Sequence, residues 1–149
     1  MRLVTFSDAQ GARIGVHDQE SGTIVDLSAS TRLPKEMTAF VALGKKGLSR
    51  ARKAVKSGEG RIPVASVKLL APFPRPAKNI LCVGKNYHDH AKEFHNSGFD
   101  ASAGKDAIPD VPIMFTKWPN SITGPYDDLH WPESVTKEVD YEVELGLVI

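Results

Sequence analysis

Two glutamates stand two residues apart in the apolar segment KEVDYEVELGLVI, residues 137–149. In an extended strand, Glu142 and Glu144 lie on the same face and about 6.6 Å apart along the chain. Their carboxylates can therefore converge on one cation, and such oxygen ligands favour Mg²⁺, Mn²⁺ or Ca²⁺ over zinc. An amphipathic strand with a solvated acidic face is the alternative explanation of the same pattern.

A second candidate group lies in the segment NILCVGKNYHDHAKEF. Asn86 can cap a helix that begins at Tyr87, and on this helix His90 and Glu93 are three residues apart and share a face. A carboxylate beside an imidazole orients it and stabilises its charged form, so the pair could act as a general base on water. An ordinary surface pair of histidine and glutamate is the alternative.

Histidine spacing argues against a zinc site of the helical type. His88 and His90 are two residues apart, and His90 and His95 are five apart. Neither pair shares a helical face, as the ligands of an HExxH helix do.

A third candidate residue follows in the segment PIMFTK. The pattern predicts a strand from Ile113 to Lys117, which places the lysine at the strand end, where it could meet an anionic substrate. A surface lysine is the alternative. Between helix and strand, residues 95–111 are rich in small polar side chains and offer few apolar anchors. We expect residues 88–110 to be a mobile lid that orders over a bound substrate, with a disordered insert as the alternative.

The elements that must position these residues fall into two regions of opposite charge. Residues 1–78 contain 14 Lys and Arg against 6 Asp and Glu, whereas residues 79–149 contain 5 against 12. The first region reads as a support module, with strands at RLVTFS, ARIGVHD and GTIVDLSAS and helices at PKEMTAFVALG and LSRARKAVKSG. The acidic region is better suited to binding a cation.

The basic cluster of the second predicted helix could be a nucleic-acid patch, but no aromatic platform or base-reading motif accompanies it. We therefore predict a solvated helix face and no nucleic-acid partner. The cluster comprises Lys45, Lys46, Arg50, Arg52, Lys53 and Lys56.

Cysteine usage and hydropathy bear on the compartment. Cys82 is the only cysteine, so no disulfide can form within the chain, which suits a reducing cytosol. The N-terminus lacks the pattern of a secretion signal, and no segment is apolar for long enough to span a bilayer. The sequence therefore predicts a cytoplasmic protein without a membrane partner.

The ordered segments CVGKNYHDHAKE, PIMFTK, ITGP and VDYEVELGLVI together resemble the fumarylacetoacetate hydrolase family, in particular a bacterial-type member with a small N-terminal domain. The similarity extends over the whole chain, but its specificity lies in the combination of GxNYxxHxxE with DxExEL in residues 79–149. The resemblance implies an α+β or mainly β protein. A small N-terminal α/β support domain (residues 1–70) would precede the first part of a mixed β-roll catalytic domain (residues 71–149).

The resemblance also implies an active site and a reaction. The metal, usually Mg²⁺ or Mn²⁺, would be held by Glu142, Glu144 and a later aspartate that this sequence does not contain. His90 and Glu93 correspond to the family's water-activating dyad, and Lys117 to its substrate-facing lysine. The implied protein is a catabolic, metal-dependent hydrolase that cleaves a carbon–carbon bond in a small acylpyruvate-like or fumarylacetoacetate-like oxo acid.

Alternatives remain open at this point. Isomerases, lyases and decarboxylases of the same family share the metal motif, and a non-catalytic binding half-domain is a further possibility. Because the family's catalytic domain continues beyond ExELGLVI, we expect the 149-residue chain to be inactive alone, and the complete protein to be a homodimer.

Overall fold

The computed structural model describes residues 1–30, 33–100 and 108–149 and contains two antiparallel sheets. The first region contains five strands and three helices: β1 (Arg2–Asp8), β2 (Gly11–Asp18), β3 (Thr23–Asp26), α1 (Leu27–Ser30), α2 (Met37–Val41), α3 (Gly44–Ser57), β4 (Arg61–Pro63) and β5 (Lys68–Leu70). The second region contains β6 (Ile80–Gly84), α4 (His88–Asn96) and β7 (Ile113–Lys117). None of the helices in these described ranges has the length and apolar character of a membrane span.

The first sheet has the strand order β4-β3-β2-β1-β5. The predicted hairpin of β1 and β2 is confirmed, with Asp8 opposite Gly11. Gly11 has a φ of +92°, which a residue without a Cβ adopts at low cost, and the Asp8 carboxylate accepts a hydrogen bond from the Gln10 N–H at 2.8 Å. The turn therefore fixes the register in which the apolar side chains of both strands share a face.

One face of this sheet packs against α2 and α3. Ile14 and Val25 lie on adjacent strands and are fully buried, and Phe40 and Ala51 meet them from the two helices. Burial of a large apolar side chain of this kind contributes about 1.5–3 kcal/mol relative to exposure. α3 ends at Gly58 in the left-handed conformation, and its six basic side chains are exposed, as expected for a solvated helix face.

A buried ion pair lies on the opposite face of the sheet. The Arg13 side chain donates to Asp26 at 2.5 Å and to Asp8 at 2.6 Å, and its guanidinium lies 4.5 Å from the centre of the Phe6 ring. The hydrogen bond from Arg13 is the main reason that the pKa of Asp8 falls to about 2. Burial alone would raise the pKa of Asp26, but hydrogen bonds from Arg13 and Ser28 lower it overall.

The elements of the first region differ in extent from their predictions. The third strand stops at Asp26 and continues as α1, and the first predicted helix is the single short turn of α2. The basic helix begins at Gly44, before its predicted start. β4 and β5 were not predicted, because each has three residues, too few to show a period.

The predicted strand in residues 137–149 is wrong. This segment has no regular secondary structure and no strand partner among the residues that the structure describes. Its apolar side chains, such as Tyr141 and Leu145, are exposed. Alternation of apolar and polar residues fits a strand, but the strand forms only where a neighbouring backbone satisfies its hydrogen bonds.

Candidate active site

The hairpin of β6 and β7 positions the start of the candidate site. The two strands pair antiparallel with Gly84 opposite Ile113, and the chain leaves β6 through Lys85, whose φ is +53°. The helix then begins at His88, one residue later than predicted. Tyr87 rather than Asn86 is its N-cap, with an extended backbone and no side-chain cap hydrogen bond.

A pocket of about 510 Å³ lies between this end of the hairpin, α4 and the glutamate segment. Most of its wall is apolar or aromatic, and its polar side chains come from α4, from Lys85 and Asn86 before it, and from residues 141–144. The pocket is lined by Val83, Gly84, Lys85, Asn86, Tyr87, His90, Phe94, Ile113, Phe115, Tyr141, Glu142, Val143 and Glu144.

Three of the predicted site residues meet in this pocket. The Nε2 atom of His90 lies 3.7 Å from the Oε1 atom of Glu142, and Glu144 also lines the pocket. The distance is too long for a hydrogen bond but short enough for electrostatic attraction if the imidazole is charged. Since the side chains of His90 and Glu142 are 40% and 59% exposed, both remain accessible to a ligand.

Glu93 and Lys117, the other two predicted site residues, do not line this pocket. Glu93 is exposed, and within the described ranges no hydrogen bond or ion pair joins it to His90. Lys117 pairs with Ile80 at the far end of β7, about 13 Å along the strand from Ile113. The roles predicted for Glu93 and Lys117 therefore stay predictions.

The donor set of the pocket suits a hard divalent cation but is incomplete. Glu142 and Glu144 offer carboxylate oxygens, the ligands that Mg²⁺ and Mn²⁺ prefer. Among the residues that the structure describes, however, no three His, Cys, Asp or Glu side chains are grouped as metal ligands. Both predicted ligands thus line one pocket, and their role in holding a metal stays a prediction.

Sequence reasoning missed a buried ion pair beside the pocket. The Lys85 ammonium donates to the Asp100 carboxylate, and these side chains are only 5% and 3% exposed. The Nδ1 atom of His95 lies 3.5 Å from the same carboxylate, and Lys85 Nζ lies 5.4 Å from the centre of the Phe94 ring. A lysine directly after the glycine that ends the segment ILCVG was the one available signal. Of the predicted lid, residues 101–107 lie outside the described residues.

One hydrogen bond joins α4 to the glutamate segment. The Leu145 N–H donates to the hydroxyl of Tyr87 at 3.3 Å, one residue beyond Glu144. Tyr87, the N-cap residue of α4, therefore contacts the backbone of the segment that carries both carboxylates.

Comparison with known proteins matches this chain to relatives of about twice its length. It is 39% identical to the mitochondrial oxaloacetate tautomerase of Xenopus laevis and 40% identical to that of Homo sapiens, over 100% of this chain and 44% and 45% of the relatives. It is 38% identical to the oxaloacetate tautomerase of Bacillus subtilis, over 78% of this chain and 39% of the relative. The chain thus spans less than half the length of these curated relatives.

A solved structure and a family model agree with these matches. The fumarylacetoacetate hydrolase from the psychrophilic Exiguobacterium antarcticum superposes with a TM-score of 0.59 and 31% identity, over 92% of this chain and 42% of that structure. The mixed architecture with antiparallel sheets therefore corresponds to part of that fold, as the sequence predicted. Residues 79–149 match the model described as fumarylacetoacetate (FAA) hydrolase C-terminal. The chain, with its pocket in the matched residues, belongs to the fumarylacetoacetate hydrolase family.

Proposed function

We propose that this chain forms part of a divalent-metal-dependent enzyme that tautomerises a small 2-oxo acid of the oxaloacetate type. The observation that carries the proposal is the approach of His90 to Glu142 across a pocket that Glu144 also lines. A proton-transfer group beside two carboxylate ligands is what a keto–enol interconversion needs. The relatives named as oxaloacetate tautomerases support the choice of substrate class.

Glu142 and Glu144 would hold the cation, Mg²⁺ or Mn²⁺, with Ca²⁺ as a further possibility. When bound, such an ion polarises a carbonyl oxygen and stabilises negative charge that develops on it. His90 would do the proton transfer. Its neutral imidazole accepts the proton from the carbon next to the carbonyl at Nε2, and returns it to the carbonyl oxygen to give the enol. Phe94 and Phe115 line the pocket and give it an apolar wall beside the imidazole.

Hydrolysis of a carbon–carbon bond in an acylpyruvate-like oxo acid is the second candidate function. Glu93 lies three residues after His90 on α4, so a side-chain rotation can bring it to the imidazole. In this reaction His90 takes a proton from water, and the hydroxide adds to the carbonyl. The carbon–carbon bond then breaks, and the departing enolate takes up a proton. The solved relative named as a fumarylacetoacetate hydrolase supports this candidate.

A paired assay on the native polypeptide separates the two reactions. With Mg²⁺ present, oxaloacetate is followed by the ultraviolet absorbance of its enol, and acylpyruvates by NMR of the cleaved products. We expect oxaloacetate to be tautomerised faster than acylpyruvates are cleaved. His90→Ala should lower the rate of tautomerisation by about 10²–10⁴-fold, as loss of a general base does, with metal affinity unchanged.

Glu93→Gln is the matched control on the same helix. It should change tautomerisation little, because the proton transfer needs His90 alone, but it should lower hydrolysis if Glu93 orients the imidazole. Cleavage of acylpyruvates without any tautomerisation would place hydrolysis first. Full tautomerisation by His90→Ala would contradict the proposed role of this histidine.

A further inference from the structure

We infer that the ion pair of Lys85 and Asp100 is a positioning device that holds α4, and with it His90, against the pocket. The inference rests on the proposed function in one respect, that His90 acts on the substrate. Neither residue of the pair needs to touch the substrate for this role. They act through the helix.

The helix needs such an anchor because its own packing is slight. α4 has nine residues, a length at which isolated helices are marginal in water, and within it only Ala91 is buried. The side chain of Tyr87 at its N-cap makes no capping hydrogen bond. Contacts from outside the helix must therefore fix its position over the pocket.

Lys85 is placed to supply contacts at both ends of α4. Its backbone lies three residues before the first helical residue, and its side chain reaches the ring of Phe94 in the last turn. Asp100 follows the helix, after Gly98 turns the chain with a φ of +81°. The pair thus joins the end of β6 to the segment beyond the helix, and α4 lies between the two joined points.

The backbone conformation of Lys85 indicates that surrounding contacts hold this residue in place. Its φ of +53° is the only positive value at a non-glycine residue in the described part of the chain. A side chain in this conformation costs free energy and persists where surrounding contacts fix it. The buried Asp100 carboxylate supplies such a contact, because an unpaired charge there would be strongly unfavourable.

Direct binding of substrate by Lys85 is the competing explanation, since this residue also lines the pocket. Its side chain is almost fully buried and its ammonium already contacts Asp100, so the geometry favours positioning. The two roles differ in kinetics. A lost positioning contact lowers kcat with little change in KM, whereas a lost binding contact raises KM.

The test compares Lys85→Met and Asp100→Asn in the native polypeptide with Mg²⁺ bound. Both variants should raise hydrogen exchange at the amides of α4 by about tenfold or more while leaving β1 and β2 unchanged. Both should also lower kcat for the oxo acid by about 10- to 100-fold at a KM within about twofold, because misplacement of a catalytic group is costly. The double variant, which leaves neither charge unpaired, should recover part of both effects.

Lys68→Met is the matched control. Lys68 also forms an ion pair, with Asp127 at 2.6 Å, but its side chain is 62% exposed, so exchange in α4 and kcat should stay at their unaltered values. Unchanged exchange in α4 for both test variants would overturn the inference, even if the native protein turned over no oxo acid at all. A raised KM in Lys85→Met alone, with normal exchange, would overturn it in favour of substrate binding.

Discussion

The two regions of the molecule differ in how far their apolar side chains are buried. In the described part of the chain, every buried hydrophobic residue except Ala71 and Ala91 precedes residue 71. In the second region, the neighbours of the candidate ligands are among the most exposed, with Tyr141 at 86% and Val143 at 88%. The first region has a closed core, whereas the second carries its candidate chemistry on a framework with little core of its own.

This difference separates the packed core, which stabilises the first region, from the candidate site in the second region. The first region is held by a packed sheet and a buried ion pair, and none of its residues lines the pocket. The second region leaves many large hydrophobic side chains exposed, among them Tyr141, Val143 and Leu145. Changes that destabilise one region should therefore leave the other nearly unaffected.

The largest effect should come from the second region. Glu144→Ala removes one of two carboxylates, so we expect Mg²⁺ binding and turnover to be abolished, as measured by calorimetry and assay of the native polypeptide. Glu138→Ala is the control, since Glu138 lies in the same segment and does not line the pocket. Urea unfolding of the first sheet should be the same in both variants. Unchanged Mg²⁺ affinity in Glu144→Ala would show that this carboxylate is not a ligand.

The next effect should come from the core of the first region. Arg13→Met leaves the buried Asp26 carboxylate without its cation, which should lower the free energy of unfolding by about 3 kcal/mol. Arg61→Met is the control, because Arg61 and Asp18 form a partly exposed pair, which contributes little to stability. Urea titration followed by circular dichroism measures both. Reduced Mg²⁺ binding in Arg13→Met would show that the stability of the first region affects the candidate site in the second.

The smallest effect should be a loss of stability in acid. The pKa of Asp8 is about 2 in the folded chain, and an unfolded aspartate has a pKa of about 3.9. The ionised form is therefore favoured by folding, so this contribution is complete above about pH 4 and is lost as the pH falls through about 2. The urea midpoint of the first sheet should fall over this range. Asp8→Asn should flatten the dependence, and an identical acid profile in that variant would contradict the assignment.

Local patterns predicted those elements whose partners lie close in sequence. The alternation in β1 and β2, with a glycine at the turn, sufficed to predict the hairpin. The strand from Ile113 to Lys117 was predicted with the same bounds that the structure has. The shared face of the two glutamates was predicted from a strand that does not form, although both residues line the pocket.

The features that could not be predicted from the sequence depend on contacts between residues far apart in the chain. Whether residues 137–149 form a strand depends on a partner backbone, which a periodic pattern cannot supply. The pair of Lys85 and Asp100 joins residues fifteen positions apart, across a helix, and leaves no periodic signal. The burial of Arg13 depends on Asp26 from the next strand, which the pattern within β2 alone does not show.

The order of strands in the first sheet also bears on how this protein behaves at high concentration. Its two outer strands, β4 and β5, have only three residues each, and Pro63 in β4 has no N–H to offer. A strand from another molecule could form few hydrogen bonds at either border, which is how natural sheets resist fibre growth. The first sheet should therefore not seed cross-β assembly, and the five-residue strands β6 and β7, each paired on one side, are the places where a colloidal or fibrillar contact would begin.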